Sequence, residues 1–524
     1  MADWSSGYVK GIDYTYDYHR ELNPAQAALP LLNAGLAPPV SLNGNACELG
    51  FGFGVSINIH AAASTAAWWG ADFNPTQARH AQELAGISAA KLHLSDESFA
   101  DFCHRPDLPD FDFIGLHGIW SWVSDANRSV LVDFVRRRLR PGGVLYLSYN
   151  VQPGWAQMMP MRQLMMEHAE SMSAPATDLA EQIGAAIDFT TTLINLSPDY
   201  ATSNPSAATC VKGLKKHSVN YLAHEYFNRD WQPMMLTEIA RMLEPAKVGF
   251  ACSDDLSDHV DAFSLLPQQI EMLKLIPDVA LRQTVRGFVV NEQFRKDYWV
   301  KGAKRLDAQE RLDALRAHRI ILATHPDNIK LTAGGLLANQ SLPEKIYLPV
   351  IGALADWEIH TLGALESQLA PHGIGFDQLI EAVVVLSGKR DIASVQDDTV
   401  IASAQATADR FNRHVIAGAA GTSRIHSLAS PLTGGGVTTP AIHLHILRAI
   451  GEGFTQPKEW AAYLWRIFQA KGARVVKNGS MLTDESENLA ALEEETNTFA
   501  KTRLPVLRAF KAIPPSNGSV APRQ

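Results

Sequence analysis

Cys47-Glu48-Leu49-Gly50-Phe51-Gly52-Phe53-Gly54 decides the fold of this chain. The first residues read as the end of a buried strand, the glycines as a turn, and the residues from Val55 as a helix. Such a unit lets backbone come close to a nucleotide-like ligand, because glycine adopts positive φ and carries no side chain. The dinucleotide spacing G-x-G-x-x-G fails here: counted from Gly50, its last position falls on Val55. The spacing that fits is acid-x-Gly-x-Gly-x-Gly, with Glu48 as the acid.

Working outward, Val55 to Ala66 predicts the first helix and Trp68 to Phe73 a second strand ending at Asp72. That acid lies about 20 residues beyond the glycines, where a nucleotide fold places the carboxylate for ribose hydroxyls. Asn74-Pro75 starts a helix to about Ala85. Lys91 to Leu94 predicts a third strand, followed by Ser95, Asp96, Glu97, Ser98 and Phe99. An acid there either takes an adenine amino group, with Phe99 beside the ring, or caps the next turn. Phe111 to Leu116 is the fourth strand; His117-Gly118-Ile119-Trp120-Ser121-Trp122-Val123 follows it, where open α/β sheets bind ligands. A helix from about Asp125 to Leu139 is stopped by Arg140-Pro141-Gly142-Gly143, and Val144 to Tyr149 is the fifth strand. Lys247 to Cys252 and Phe294 to Val300 supply a sixth and seventh, with the helical stretch Ala156 to Asn220 as an inserted cap. The alternation predicts an α/β, Rossmann-like, doubly wound seven-stranded sheet.

Glu48, Gly50, Gly52 and Gly54 resemble motif I of the class I S-adenosylmethionine (SAM) methyltransferases. His117 to Val123, Arg140-Pro141-Gly142-Gly143, Ser148-Tyr149-Asn150 and Pro153-Gly154-Trp155 extend the likeness. So do His224-Glu225-Tyr226 and Asn291-Glu292-Gln293-Phe294-Arg295. Together they resemble the bacterial methyltransferases with a methyltransferase regulatory domain, among them rickettsial protein-lysine methyltransferases acting on an outer-membrane surface protein. The likeness runs from about Tyr14 to Lys301; family members often have tyrosine where this chain has Trp120. It implies a SAM site of Tyr16, Glu48, Gly50, Phe51, Gly52, Gly54, Asp72, Phe73, Asp96, Glu97, Ser98 and His117. An acid at Glu48 suits the cationic methionine moiety. The likeness also implies protein lysine as acceptor, with His117, Trp120 and Tyr149 as catalytic candidates and Trp122 and Trp155 beside them. An aromatic pocket of that kind lowers a lysine's pKa by desolvation. His117 either takes the proton or hydrogen-bonds at the strand end, and spacing does not separate the two. Tyr14, Tyr16 and Tyr18 form either a packed arm or a lid over the sulfonium. Two alternatives stay open: a small-molecule or glycan hydroxyl acceptor, and a scaffold with a degenerate core. The intact Glu48, Gly50, Gly52, Gly54 and Asp72 oppose the scaffold.

The expected organisation is an arm (1–40), a methyltransferase core (41–305), a linker (306–341), a winged-helix-like domain (342–400), a helical region (401–513) and a disordered tail (514–524). The core holds the 156–220 insertion and a regulatory segment at about 221–301. The winged-helix outline is strand, helix Trp357 to Leu369, helix Phe376 to Ser387, strand. Its acids outnumber Lys345, Lys389 and Arg390, so a protein partner is expected there and nucleic acid is not. The net charge of -9 points the same way. A chain ending near Gln340 is expected either to keep SAM binding or to expose an apolar interface and aggregate. The Met158, Met159, Met161, Met165 and Met166 cluster reads as adaptable core, Gly434-Gly435-Gly436 as a loop, and Asp484 to Lys501 as an acidic helix. His443 and His445, two apart on a helix, face different directions, so no metal is expected. Four scattered cysteines, no leader-like start and no bilayer-length apolar run set the expectation of a cytoplasmic protein without membrane insertion. The sequence fixes no oligomeric state.

Overall fold

The computed structural model describes residues 16–39, 43–172, 177–334, 339–421, 424–477 and 479–514. Tyr14 and most of the expected tail lie outside them.

The seven strands are β1 (Asn45–Leu49), β2 (Ala67–Ala71), β3 (Leu92–Ser95), β4 (Phe111–Leu116), β5 (Leu139–Asn150), β6 (Val248–Ser253) and β7 (Phe294–Lys301). They form one sheet in the order β3-β2-β1-β4-β5-β7-β6, with β7 antiparallel to both neighbours. Chain order reverses between β1 and β4, so the crevice at their carboxyl ends is where such a sheet holds a ligand. Helices cover both faces, which lets β1, β4 and the second half of β5 be almost wholly buried.

Arg140-Pro141-Gly142-Gly143 lies within β5 instead of preceding it. Pairing with β4 jumps from Phe111↔Leu139 to Phe113↔Val144, so these residues bulge out of the ladder, with Gly142 at φ 80°. The inserted cap spans helices from Met159–Met172 to Val219–Tyr226 and has its own core, in which Met158, Met161 and Met165 are buried.

The 306–341 stretch, expected to be a linker with a helix from about Ala308 to Arg319, holds that helix (Ala308–Ala317) and, unexpectedly, a strand (Arg319–Leu322). That strand is central to a three-stranded sheet, flanked by His360–Thr361 and Ile392–Ser394. The segment after Leu342 begins with a helix, Glu344–Ala353, not a strand. The helix expected from Trp357 starts only at Leu362 (Leu362–Leu369), behind the strand His360–Thr361, whereas Phe376–Gly388 is close to expectation.

The C-terminal helices are not a separable appendage. Asp398–Gly418 packs on Val55–Ala63, the helix behind the glycine turn, and Phe411, Val415, Leu444 and Leu464 share one core with Val55, Ile59, Ala62 and Ala63. Thr407 Oγ1 donates to the Ala62 carbonyl at 2.7 Å and Arg410 Nε to the Ser88 carbonyl at 2.8 Å. Gly435 and Gly436, expected in a loop, lie in a strand (Gly435–Thr438) paired with Ser427–Ser430. A Cβ at Gly436 would stand 2.9 Å from the Tyr18 ring, so glycine is what lets the N-terminal arm cross here. Among the described residues no single helix is long and apolar enough to cross a membrane.

Candidate active site

The turn after β1 holds Gly50, Gly52 and Gly54 at φ 75°, 56° and 70°. Side chains are also excluded there by space: a Cβ on Gly50 would lie 2.2 Å from Ile119 Cδ1, and one on Gly54 2.3 Å from Ala81 Cβ. The cleft above the turn is lined by Asp17, His19, Glu48, Gly50 to Ser56 and His117.

Glu48 points into this cleft from the end of β1. It is buried, and its Oε2 makes no hydrogen bond. Burial, and secondarily the nearby Asp72, push its carboxyl up from about 4.5 to about 8. A buried carboxyl without a donor is costly unless a ligand supplies one. Asp72, at the end of β2, clasps the turn: Oδ2 accepts from Gly52 N at 2.8 Å and Oδ1 from Asn74 N at 3.0 Å. Burial raises its pKa to about 6, opposed by those two N–H groups. A carboxylate offers about four acceptor positions, so two remain for hydroxyls.

Of the adenine-side candidates, Phe73 is half-buried after β2. Asp96 is exposed at the carboxyl end of β3. Glu97 is already engaged by Ser95 Oγ at 2.7 Å and Arg105 at 3.1 Å. Ser98, not Asp96, caps the helix Phe99–Cys103, accepting from Asp101 N at 3.2 Å. Phe51 is a core residue, 6% exposed.

The arm both packs and covers. Tyr16 stacks on Phe53 of the turn (centroids 4.0 Å apart, 13° between planes), and Arg424 lies over the Tyr16 ring at 5.3 Å. Tyr18 turns away, taking a hydrogen bond from Gly436 N at 2.6 Å. His19 stacks on His117 at 3.7 Å, closing the edge of the cleft. His117 Nδ1 meets the Tyr146 hydroxyl at 2.9 Å, and burial, then His19, hold its pKa down to about 3. A base so weak is mismatched to proton abstraction near neutral pH, which favours the hydrogen-bonding reading of this residue. Ligand atoms of His19, Glu21 and His117 converge within 4.8 Å, yet Lys296 already holds the Glu21 carboxylate at 2.9 Å.

Two catalytic candidates need correction. Trp120 is 1% exposed within the core flanking the sheet. The Tyr149 hydroxyl, wholly buried, donates to Asp297 Oδ2 at 2.6 Å, and Arg295 grips the same carboxylate. Both side chains belong to the packed interior, because a strand-end position in sequence does not reveal which face a residue takes. The strand ends are instead joined by polar ties: Gly118 N donates to Ser148 Oγ at 2.8 Å and Asn150 N to Ser121 Oγ at 2.9 Å. Beyond Asn150, Trp155 meets Trp231 edge-on at 5.2 Å and Tyr226 at 5.9 Å. His19, Phe53, Ile119 and Trp231 were not singled out in sequence; only the aromatic clustering around them was a signal.

Residues 218–301 match the family described as "predicted methyltransferase regulatory domain". An uncharacterized Synechocystis protein is 35% identical over 507 residues, covering 96% of this chain and 98% of the relative. An uncharacterized Rickettsia prowazekii protein is 29% identical over 197 residues, 37% of this chain and 76% of the relative. Among solved structures, PKMT2 from Rickettsia typhi in complex with AdoHcy shares the fold with a TM-score of 0.67 at 16% identity, covering 96% of this chain and 99% of that one. The chain belongs to one family with the Synechocystis protein, carries a segment that matches the predicted methyltransferase regulatory domain, and has the seven-stranded fold of the Rossmann-like methyltransferases.

Proposed function

We propose that this chain is a SAM-dependent methyltransferase acting on lysine side chains of a protein substrate. The observation that carries the SAM half of this reading is Glu48, a buried, unbonded carboxyl beside a turn that excludes side chains. It suits the ammonium of SAM's methionine moiety, and Asp72 suits the ribose hydroxyls. Asp96, exposed at the carboxyl end of β3, suits the adenine amino group. SAM supplies a methyl group already activated by a sulfonium. The protein therefore needs to position the acceptor and keep its nitrogen unprotonated. The lysine half is supported by the aromatic surroundings of the β5 end, with Trp155, Trp231 and Tyr226 in contact. It is supported too by the likeness to PKMT2, whose name denotes a protein lysine methyltransferase.

The test is transfer of a labelled methyl group from SAM to a panel of lysine-rich proteins and to hydroxyl acceptors, with the modified atom mapped by mass spectrometry. Label on lysine nitrogen is expected. Label confined to hydroxyl oxygen would reject the reading.

A further inference from the structure

Among the described residues, the buried and half-buried acids of the catalytic half are mostly matched. Asp297 holds Arg295 and Tyr149; Glu292 holds Arg295; Asp258 holds Arg286; Glu21 holds Lys296; Asp254 takes the Tyr298 hydroxyl. Asp72 takes two backbone N–H groups. Two acids stand apart. One is Glu48, in the cleft that suits the SAM ammonium. The other is Glu225, half-buried on the helix Val219–Tyr226 and without an ion pair among the described residues.

Glu225 faces the carboxyl end of β5. Asn150, the last residue of that strand, is 2% exposed, and its Nδ2 makes no hydrogen bond. Its amide nonetheless lies close enough to favour the ionised form of Glu225. Burial outweighs that and pushes the Glu225 carboxyl up to about 7. Tyr221 stands one turn back on the same helix, and Tyr226 follows directly, carrying contact on to Trp155 and from there to Trp231. The turn after the helix is fixed by Arg162, which donates to the carbonyls of Tyr226 and Asn228 and lies over Trp231 at 5.2 Å. Asn150 is in turn tied to Ser121, four residues after His117, which lines the cleft above the glycine turn. An unmatched carboxylate among aromatic rings is chemistry that recognises an alkylammonium.

We infer that Glu225, backed by Asn150 and the Trp155–Tyr226–Trp231 cluster, holds the acceptor ammonium at the carboxyl ends of β4 and β5 and takes its proton. This rests on the amine-acceptor reading above. In the step, a proton leaves the ammonium for the Glu225 carboxylate. The freed nitrogen lone pair forms the N–C bond while the methyl–sulfur bond breaks, its electron pair staying on sulfur. The products are a methylated ammonium, a neutral thioether and a protonated Glu225, which returns its proton to solvent. The Glu225 pKa near 7 is matched to that exchange.

The test uses the full-length protein saturated with S-adenosylhomocysteine and Nα-acetyl-lysine methylamide as the amine probe, with binding followed by saturation-transfer NMR. The parent is expected to bind the probe. Glu225→Gln is expected to weaken it by about tenfold or more, with S-adenosylhomocysteine affinity unchanged, and Glu225→Asp to recover part of the loss. Equal binding by the parent and Glu225→Gln overturns the proposal, as does failure of the parent to bind the amine. Methyl transfer to the same probe separates the two levels of the argument. Equal transfer by the parent and Glu225→Gln keeps the lysine reading and removes Glu225; parent transfer to hydroxyl acceptors alone removes both.

Discussion

Replacing Glu48 by glutamine is a sharp probe of the SAM cleft, because its effect depends on pH with a sign that can be worked out. In the folded protein Glu48 keeps its proton to about pH 8, whereas an ordinary glutamate loses it near 4.5. A bound ammonium holds the same group ionised. Binding SAM between about pH 6.5 and 7.5 therefore expels one proton, and Kd falls by about tenfold per pH unit. Asp72, with its pKa near 6, is mostly ionised across that window and adds little. Above it, the ligand's own amino group, ordinarily at about 7.7–8.0, begins to lose its charge. Glu48→Gln removes the slope. At pH 7.5 it also removes a charge-assisted contact worth about 1.5–3 kcal/mol, or about 10- to 150-fold in Kd. Titration calorimetry in two buffers of different ionisation enthalpy counts the protons directly. Without SAM, the folded state binds the proton that the unfolded chain has lost, so stability falls as pH rises from about 4.5 to 8. That fall should shrink in Glu48→Gln. A parent that releases no proton, or a variant that keeps the parent's slope, would refute the placement of the ammonium at Glu48.

Gly54→Ala forces a Cβ to 2.3 Å from Ala81 Cβ at φ 70° and should cost about 1–3 kcal/mol in urea unfolding. Gly86→Ala, with open space around its helical position, should be neutral or stabilising. Asp72→Ala frees Gly52 N and Asn74 N and removes the proposed acceptor for the ribose, so SAM affinity should drop by about 1.5–3 kcal/mol per lost charged hydrogen bond, read by calorimetry with the fold checked by circular dichroism. Phe411→Ala opens the core shared with the Val55–Ala63 helix and should cost about 3–5 kcal/mol, although it lies far along the chain from the turn. For the same reason a chain ending at Gln340 should aggregate or lose SAM binding, checked by light scattering; a soluble fragment with parental affinity would contradict the shared core.

What was legible in the sequence was local. The glycine spacing, the β-α alternation and the acids at Glu48 and Asp72 read out as strand, turn and helix because each depends on neighbours a few residues away. In sequence the bulge at Arg140 to Gly143 reads as a strand boundary because Pro and Gly mark both, and only pairing with β4 tells them apart. Arg319–Leu322 was missed as a sheet centre because both its partners come from more than thirty residues downstream. The Val55–Ala63 helix is buried on all sides, polar Asn58 and His60 included, so its composition announces burial without saying that C-terminal helices provide it. At the site, the same limit misplaced Trp120 and Tyr149 in a pocket. It also left Glu225 as a motif letter, since whether a buried acid has a partner is a tertiary fact.

The central claim is that the cleft above Gly50 to Gly54 delivers a methyl group from SAM to a protein lysine. The most direct measurement incubates the full-length protein with methyl-labelled SAM and lysine-rich protein acceptors, then maps the label by tandem mass spectrometry beside a Glu48→Gln control. The account predicts label on lysine nitrogen that is strongly reduced in the control. Label on oxygen, or lysine label that Glu48→Gln leaves intact at limiting SAM, would contradict it.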